Sequence, residues 1–461
     1  MRSFRERLGV PVSGASVAIV RIGLGLLIAV ESLNYLTGDW IRVSYLDPSF
    51  HFTYEGFGWV QPWAGVGMYI HFAALTVLGL ALALGVAHRF VAPLLAAGFL
   101  YVFLLEKAEY LNHFYAAILL LVLIALIPAD RALSLAARRH PGRPRTVPLW
   151  SVWILRFQVG VIYLFAGLAK LGDDWLAGEP MGTWLADRGD LFLVGPLLEG
   201  AAAGQVFSWA GLAFDLMIVP LLLWRRTRAL AFVAAVGFHV GNWIIFDIGI
   251  FPPMMIVATT VFFDPDWPQR LWALRPRSTT APARASAGNG IGARPIALSL
   301  TAVLAVFVAV QIAFPLRHHL YPGLVHWTEE GHRFSWHMKL RQKDGIAGFY
   351  AYDPATGERA PIDLDGVITP RQLARASPQP DMLAQLASHL AEREREASGG
   401  IPVEIRVEAA ISLNGRPEQL LVDPEADLSV VSTSGLDRAE WIEPAPSSGP
   451  RRVVDASQAS G

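Results

Sequence analysis

Long apolar stretches separated by short polar segments dominate the first 315 residues of the chain. A helix needs roughly 20 apolar residues to cross the hydrocarbon core of a bilayer, and stretches near that length recur nine times. They lie near 17–36, 64–86, 89–106, 113–128, 151–170, 206–224, 229–246, 248–263 and 296–315. The pattern predicts a polytopic α-helical membrane domain over 1–315 with about nine transmembrane helices, of which the fourth and eighth are short for a full crossing.

After residue 316 the pattern becomes that of a smaller α+β domain. Apolar residues alternate with charged ones between Val403 and Leu413, as in a strand with one buried face. Asn414-Gly415 then predicts a hairpin turn. Strands are predicted at Phe334 to Leu340, Val403 to Leu413 and Gln419 to Val422, and a helix at Asp381 to Glu396. We expect this domain to span 316–445, with a disordered tail at 446–461.

Basic residues distribute unequally between the loops. If the N-terminus is cytoplasmic, seventeen arginines fall in inside segments, and only Arg42, Lys107, Lys170 and Arg188 fall in outside loops before the second domain. This bias follows the positive-inside rule. It predicts a cytoplasmic N-terminus, a flexible cytoplasmic linker over 276–295 that is rich in small residues and proline, and an extracytoplasmic C-terminal domain, with the cell membrane as the expected location.

Composition removes several classes of function. Of 461 residues, 53% are hydrophobic and 17% charged, and the formal net charge is −1, which fits neither a disordered chain nor a nucleic-acid binder. The chain has no cysteine, so disulfides, thiolate metal sites and cysteine nucleophiles are excluded. It has no GxGxxG, P-loop or HExxH motif, which argues against the common nucleotide and zinc sites.

Ionisable residues within the predicted spans are costly at membrane depth. Arg21, Glu31, Arg156 and Asp215 are four of them. We expect them to pair with one another or with backbone carbonyls and to fix helix packing.

Polar residues near the predicted outer helix ends form a second group, which can line one cavity: Asn112-His113, Lys170, and His239 with Asn242. Lys170 has two interpretations, an interfacial lysine whose amine reaches the membrane surface, or a partly desolvated amine that acts as a general base. Each histidine is either a hydrogen-bonded core residue or a pocket residue. Without a nearby carboxylate cluster, no metal site is predicted.

Four blocks of the sequence carry a family resemblance. They are VFLLEKAEYLNHFY at 102–115, LWSVWILRFQVGVIYLFAGLAKLGDDW at 149–175, FHVGNWIIFDIGIF at 238–251 and HWTEEGHRFSWHMKL at 326–340. In the same order along the chain, they resemble the vitamin K-dependent γ-glutamyl carboxylase family, whose membrane part is called the HTTM domain.

The resemblance implies a reaction and its partners. In this family a reduced isoprenoid naphthoquinone, here reduced vitamin K or menaquinol, is deprotonated and reacts with O2. The strong base that results removes a γ-proton from a glutamate in a peptide or protein, CO2 adds to the carbanion, and the quinone leaves as its epoxide. The enzyme works within the lipid bilayer and involves no nucleic acid.

The resemblance also implies roles for particular residues. Lys170 matches the family's base, and His113 is assigned to catalysis with it. Cofactor-binding positions fall on Asn112, His239, Asn242 and His318, and peptide-binding positions on Trp327, Ser335, Trp336 and Met338.

Three departures from the family keep two other functions open. Ala169 replaces the first lysine of the family's pair, Gly331-His332 replaces an apolar-aromatic pair in the glutamate segment, and the extra C-terminal β-domain of the animal enzymes does not follow. The alternatives are a quinol epoxidase without carboxylation and a non-catalytic transport or binding protein on the same scaffold.

The loop charges generate a direct prediction of topology. Reporter fusions at residues 140 and 350 are expected to report opposite sides of the membrane, with residue 140 cytoplasmic, because the arginines cluster in the loops on that side. Two reporters on the same side would contradict both the topology and the shared cavity.

Overall fold

The structure, a computed structural model, describes residues 3–190, 195–198, 200–246, 248–273, 295–433 and 439–446. Within these residues, nine apolar helices form the N-terminal bundle: α1 (Ala15–Thr37), α2 (Val66–Leu84), α3 (His88–Leu105), α4 (Asn112–Leu126), α5 (Leu149–Ala169), α6 (Ala201–Leu223), α7 (Arg228–Phe246), α8 (Phe251–Thr259) and α9 (Leu298–Leu316). Shorter helices lie at Phe4–Leu8, Leu135–Arg139, Asp173–Leu176, Met181–Ala186, Gly195–Leu198, Trp267–Ala273 and Val325–Thr328.

Within the described residues, seven of these helices are long and apolar enough to cross a membrane. The count of nine is therefore not confirmed, although the class of a polytopic helical membrane protein is. The two exceptions are α4 and α8, the stretches that the sequence already marked as short. At about 1.5 Å per residue, the 15 residues of α4 reach only about 22 Å, less than the roughly 30 Å of a hydrocarbon core.

The bundle has two chemically different ends. At one end, strand β1 (Pro11–Ser13) pairs with β2 (Thr146–Pro148), and Arg228 forms an ion pair of 3.1 Å with Asp264. We call this the basic end, because the arginine-rich loops meet there. At the opposite end, which we call the domain end, the loops contact the C-terminal domain. The arginine-rich loops, which were predicted to lie on one side of the membrane, therefore lie at one end of the bundle, and the loops predicted on the other side lie at the opposite end.

Helices α1 and α2 approach closely through small residues. A Cβ atom at Gly25 would lie 2.6 Å from the carbonyl oxygen of Gly79, and one at Gly79 would lie 2.7 Å from that of Gly25. Close contact of this kind replaces the hydrophobic effect as the main source of helix association in lipid.

Two of the four charged residues predicted inside the bundle, Arg21 and Arg156, bond to backbone carbonyls, as expected. Arg21 is fully buried and donates to the carbonyl of Leu133 at 2.7 Å. Arg156 donates to three successive carbonyls, from Val261 to Phe263. Each guanidinium group thus connects its helix to a loop or helix end whose backbone carbonyls have no partner within a helix.

The C-terminal domain packs one sheet against one helix. Its strands are β3 (Lys343–Asp344), β4 (Ala347–Tyr352), β5 (Arg359–Pro361), β6 (Glu404–Leu413) and β7 (Gln419–Leu420), and its longer helices are α10 (Pro370–Ala376) and α11 (Pro380–Ala397). The strand order is β3-β6-β4-β5, with β7 also paired to β6, and the pairs are antiparallel. Alternate residues of β6 are fully buried, among them Ile405 and Val407, and the same core contains Leu383 and Leu386 of α11.

The predictions for β6, β7 and α11 are confirmed, whereas the strand predicted at Phe334 to Leu340 is wrong. That segment consists of turns and irregular backbone. Phe334, Trp336 and Lys339 have φ values of +65°, +61° and +51°, in the left-handed region that an extended strand cannot contain. The alternation of side chains there reflects successive turns rather than a pleated strand.

Ion pairs attach the C-terminal domain to the bundle. Arg371 makes two bonds of 2.6 and 2.9 Å to the carboxylate of Glu109, and Arg416 makes two bonds to Asp174. At a third point Asp381 accepts from Lys107 at 2.9 Å and from Arg333 at 2.7 Å. Burial alone would raise the pKa of Asp381, but the charges of Arg333 and Lys107 overcome this and hold it well below its usual range.

Asp381→Asn is expected to lower the free energy of unfolding by about 3 kcal/mol, because it leaves two poorly exposed cations without their counter-charge. Since the folded-state pKa of Asp381 is lowered, its contribution is present at neutral pH and is lost as the pH falls below about 4. Thermal unfolding of detergent-purified protein measures both effects. Asp363→Asn, at an exposed position, is the control, and equal midpoints for the two variants would contradict the prediction.

Candidate functional site

A cavity of about 380 Å³ lies at the domain end of the bundle, between α5, α6, α7 and the start of the C-terminal domain. Aromatic and aliphatic side chains form most of its wall. Of the predicted site residues, it brings together Lys170, His239, Asn242 and Met338. These residues come from three distant parts of the sequence. Of the polar residues predicted to share one cavity, Lys170, His239 and Asn242 line it, and Asn112 and His113 do not.

Lys170 follows the last residue of α5 and points to α6. Its Nζ donates to Oδ2 of Asp215 at 2.6 Å and to the carbonyl of Ala166 at 3.3 Å, and both charged side chains are less than 10% exposed. The amine also lies 5.2 Å from the ring centroid of Trp175. Asp215 was expected to have only a packing role, and no partner was predicted for Lys170. The structure makes them one buried pair in the cavity wall.

A glycine allows this pair to form. A Cβ atom at Gly167 would lie 2.7 Å from Leu216 and 3.2 Å from the Cβ of Asp215. A larger residue would push α6 away from α5 at the level of the pair. Sequence inspection identifies neither the pairing nor this glycine's role, because residues 170 and 215 are separated by a full helix and loop.

His239 belongs to a short polar network in the cavity wall. The hydroxyl of Tyr163 lies 2.7 Å from its Nε2 and 3.2 Å from Oγ1 of Thr259. The other ring nitrogen, Nδ1, is buried and has no hydrogen-bond partner among the described residues. If Tyr163 donates to Nε2, the imidazole carries its proton on Nδ1 and can donate it to a ligand oxygen.

Lys339 is a cavity residue that the sequence interpretation missed. It comes from the C-terminal domain, next to Met338, and its Nζ lies 5.2 Å from the ring centroid of Trp184 and 5.5 Å from that of Phe246. Burial, aided by the charge of Arg188, lowers its pKa. No carboxylate pairs with it in the part of the chain that the structure describes. The signal in the sequence was weak, since a single lysine after Met338 resembles an ordinary surface residue.

His113 and Asn112 lie next to the cavity but are not part of its lining. The ring of His113 lies 6.3 Å from that of Phe251, which does line the cavity. Asn112 accepts from the hydroxyl of Tyr110 at 2.9 Å and donates to the carbonyl of His337 at 3.3 Å. In this structure His113 therefore reaches the cavity only through Phe251, and Asn112 only through the segment that carries His337.

The remaining predicted site residues support the C-terminal wall. Trp327 and Trp336 are fully buried, so neither indole is accessible to a peptide in this conformation. Trp336 stacks on Tyr115 with 5.0 Å between ring centroids, and the hydroxyl of Ser335 donates to the carbonyl of Gly331 at 2.6 Å. Nδ1 of His318 donates to the carbonyl of Pro315 at 2.8 Å, and His318 also lies outside the lining. Their peptide-binding and cofactor-binding roles remain predictions.

Comparison with known families finds two successive matches along the chain. Residues 10–267 match the model of the HTTM domain, and residues 297–448 match that of the vitamin K-dependent gamma-carboxylase lumenal domain. No solved structure was found that matches the chain. The first match covers more than half of the chain and includes most of the cavity wall, and the second supplies the rest of it. The chain therefore belongs to the vitamin K-dependent gamma-carboxylase family, as a multi-pass membrane protein with an HTTM domain and a lumenal-type domain.

Proposed function

We propose that the protein is a quinol-dependent γ-glutamyl carboxylase: it deprotonates a reduced naphthoquinone, vitamin K hydroquinone or menaquinol, and couples its oxidation by O2 to carboxylation of a glutamate in a peptide. The observation that carries the proposal is the buried Lys170–Asp215 pair in the wall of a mostly apolar cavity. With the N-terminus cytoplasmic, the cavity and the C-terminal domain lie on the extracytoplasmic side.

The cavity fits the head group of such a quinol. Its volume of about 380 Å³ falls in the range of about 300–1,000 Å³ of small-molecule sites. Phe207, which is 39% exposed on the outer surface of α6, forms part of the lining, so an isoprenoid tail can leave sideways toward lipid. When bound, the quinol supplies the electrons for the reaction with O2 and the strong base that attacks glutamate.

Lys170 and Asp215 act as one base. The pair holds one proton between the amine and the carboxylate and is neutral overall, which limits its cost in an apolar wall. Taking a second proton from a quinol hydroxyl gives the pair one positive charge beside the oxygen that lost the proton. Because the two groups are hydrogen-bonded to each other, a proton that either one accepts is shared by both, so Asp215 is as necessary as Lys170.

His239 and Lys339 have different tasks. His239, held by Tyr163, positions a quinol oxygen through its free Nδ1 and stabilises negative charge there. Lys339 has aromatic neighbours and no paired carboxylate among the described residues, so it can bind the carboxylate of the substrate glutamate. Met338 and Lys339 thereby connect the peptide side of the cavity with the quinol side.

Lys170→Ala is expected to lower the rate of epoxide formation near neutral pH by about 10²- to 10⁴-fold, the usual contribution of a general base. Purified protein in nanodiscs with reduced vitamin K or menaquinol, and chromatography of the epoxide, measures this rate. Activity should partly recover in alkali, where the hydroquinone ionises without help. Lys170→Arg should not restore it, because a guanidinium group does not give up its proton.

Two controls separate this chemistry from folding. Leu171→Ala alters the adjacent exposed position and should leave the rate unchanged. The double variant Lys170→Met/Asp215→Asn removes both charges, so no unpaired ion remains to destabilise the fold. It should stay inactive at neutral pH, as should Asp215→Asn alone. Wild-type turnover in Lys170→Arg or in Asp215→Asn would show that the pair is not the base.

Lys339→Met is expected to raise the KM for a glutamate peptide about 10- to 100-fold, because a hydrogen bond to a charged group contributes roughly 1.5–3 kcal/mol. Epoxide formation from quinol should change little, and Lys339→Arg should restore most of the peptide affinity. Carboxylation is followed by incorporation of labelled CO2. An equal loss of both activities in Lys339→Met would assign Lys339 to folding, and an unchanged KM would remove it from the peptide site.

A further inference from the structure

A cluster of histidines lies directly behind the cavity wall. His326, His332 and His337 each offer a ring nitrogen, and these three nitrogens all lie within 4.8 Å of one another. The ring centroids of His326 and His332 are both 5.2 Å from that of His337. The segment that carries them ends one residue before Met338 and Lys339, which line the cavity. We propose that these three histidines bind one divalent transition-metal ion of the zinc class.

Hydrogen bonding gives the first argument for a metal. Both ring nitrogens of His337 and Nδ1 of His326 are buried without a hydrogen-bond partner among the described residues. An unpaired buried polar atom is costly, and two of the three neighbouring rings carry such atoms. A bound cation would give each of these two rings a partner, because a metal accepts the one lone pair that each neutral imidazole has available.

Burial gives the second argument. His332 and His337 are buried and His326 is half-buried, so the cluster lies in the interior of the domain and not on its surface. Imidazole nitrogen is the commonest metal ligand in proteins. Three such nitrogens gathered in one interior place form a compact donor set for a single ion.

Glu329 orients one ligand. Its Oε2 lies 3.5 Å from Nδ1 of His332, which favours a proton on Nδ1 and leaves Nε2 free for a metal. A carboxylate behind a histidine ligand is the usual outer support of zinc sites. Glu329 also pairs with Arg341 at 2.5 Å and lies 3.6 Å from Lys343. Its negative charge thus partly offsets the two cations nearest the site.

The geometry suits three nitrogens and an open position. Zinc binds histidine nitrogen at about 2.0–2.1 Å, which places ligands of a tetrahedral site about 3.4 Å apart. Closing from 4.8 Å requires each ring to move by about 1 Å, a small side-chain rotation. Imidazole ligands favour zinc and similar metals over magnesium or calcium. This site is separate from the quinol chemistry, and its first effect would be to hold the turns of 326–337 in place behind the cavity.

Metal content tests the proposal without any assay of activity. Full-length protein purified with a tag that contains no histidine, loaded with Zn²⁺ and desalted, should retain about one zinc per chain by mass spectrometry. His332→Ala and His337→Ala should lower this about tenfold or more, since each removes a ligand. His389→Ala, in the same domain but stacked on Phe50, should keep the full content. Zinc retained in both ligand variants would overturn the proposal.

A second measurement covers variants that fail to fold. Wild-type protein loaded with Co²⁺ should show the visible absorption of a four-coordinate, nitrogen-rich site, and adding Zn²⁺ should abolish it. Removing the metal with a chelator should lower the thermal midpoint, and zinc should restore it. Wild-type protein that shows neither retained zinc nor the cobalt bands would prove the site wrong, whatever happens to quinol epoxidation.

Discussion

The pairing of a buried amine with a buried carboxylate constrains the site more than any other contact. Neither Lys170 nor Asp215 is tolerable alone in an apolar wall, so the two helices that carry them must stay in register at that level. Gly167 permits the approach, and the ring centroid of Trp175 lies 5.2 Å from the amine. The pair thus fixes α5 against α6 in the wall of the cavity.

The C-terminal domain completes the cavity rather than merely covering it. Met338 and Lys339 form part of the lining, and their position depends on contacts with the domain-end loops. The ion pairs of Glu109 with Arg371 and of Asp174 with Arg416 fix that position. Since Asp174 lies four residues after Lys170, a shift of the domain would be transmitted directly to the loop that follows the proposed base.

The pattern of apolar and polar residues correctly predicted those helices and strands whose buried face is set by neighbouring residues in the sequence. The alternation along β6 and the leucine spacing of α11 identify their buried faces, and the long apolar stretches identify seven helices that can span a membrane. The strand predicted at Phe334 to Leu340 was wrong because the backbone there turns. The positive φ values of Phe334 and Trp336 cannot be recognised from the alternation of apolar and polar side chains. The predictions were also incomplete where tertiary contact decides, since only the folded chain brings Asp215 to Lys170 and Lys339 to the cavity.

The two cavity lysines differ in a way that suits two partners. Lys170 is neutralised by Asp215, so it presents no net charge to an apolar quinol and can gain charge only by accepting a proton. Lys339 faces aromatic rings, whose attraction for a cation is weaker than that of a carboxylate. A glutamate entering from the side of the C-terminal domain would find the second lysine available and the first already paired. On the proposed function, the same cavity can therefore hold a quinol and a glutamate side chain without the glutamate carboxylate binding to Lys170.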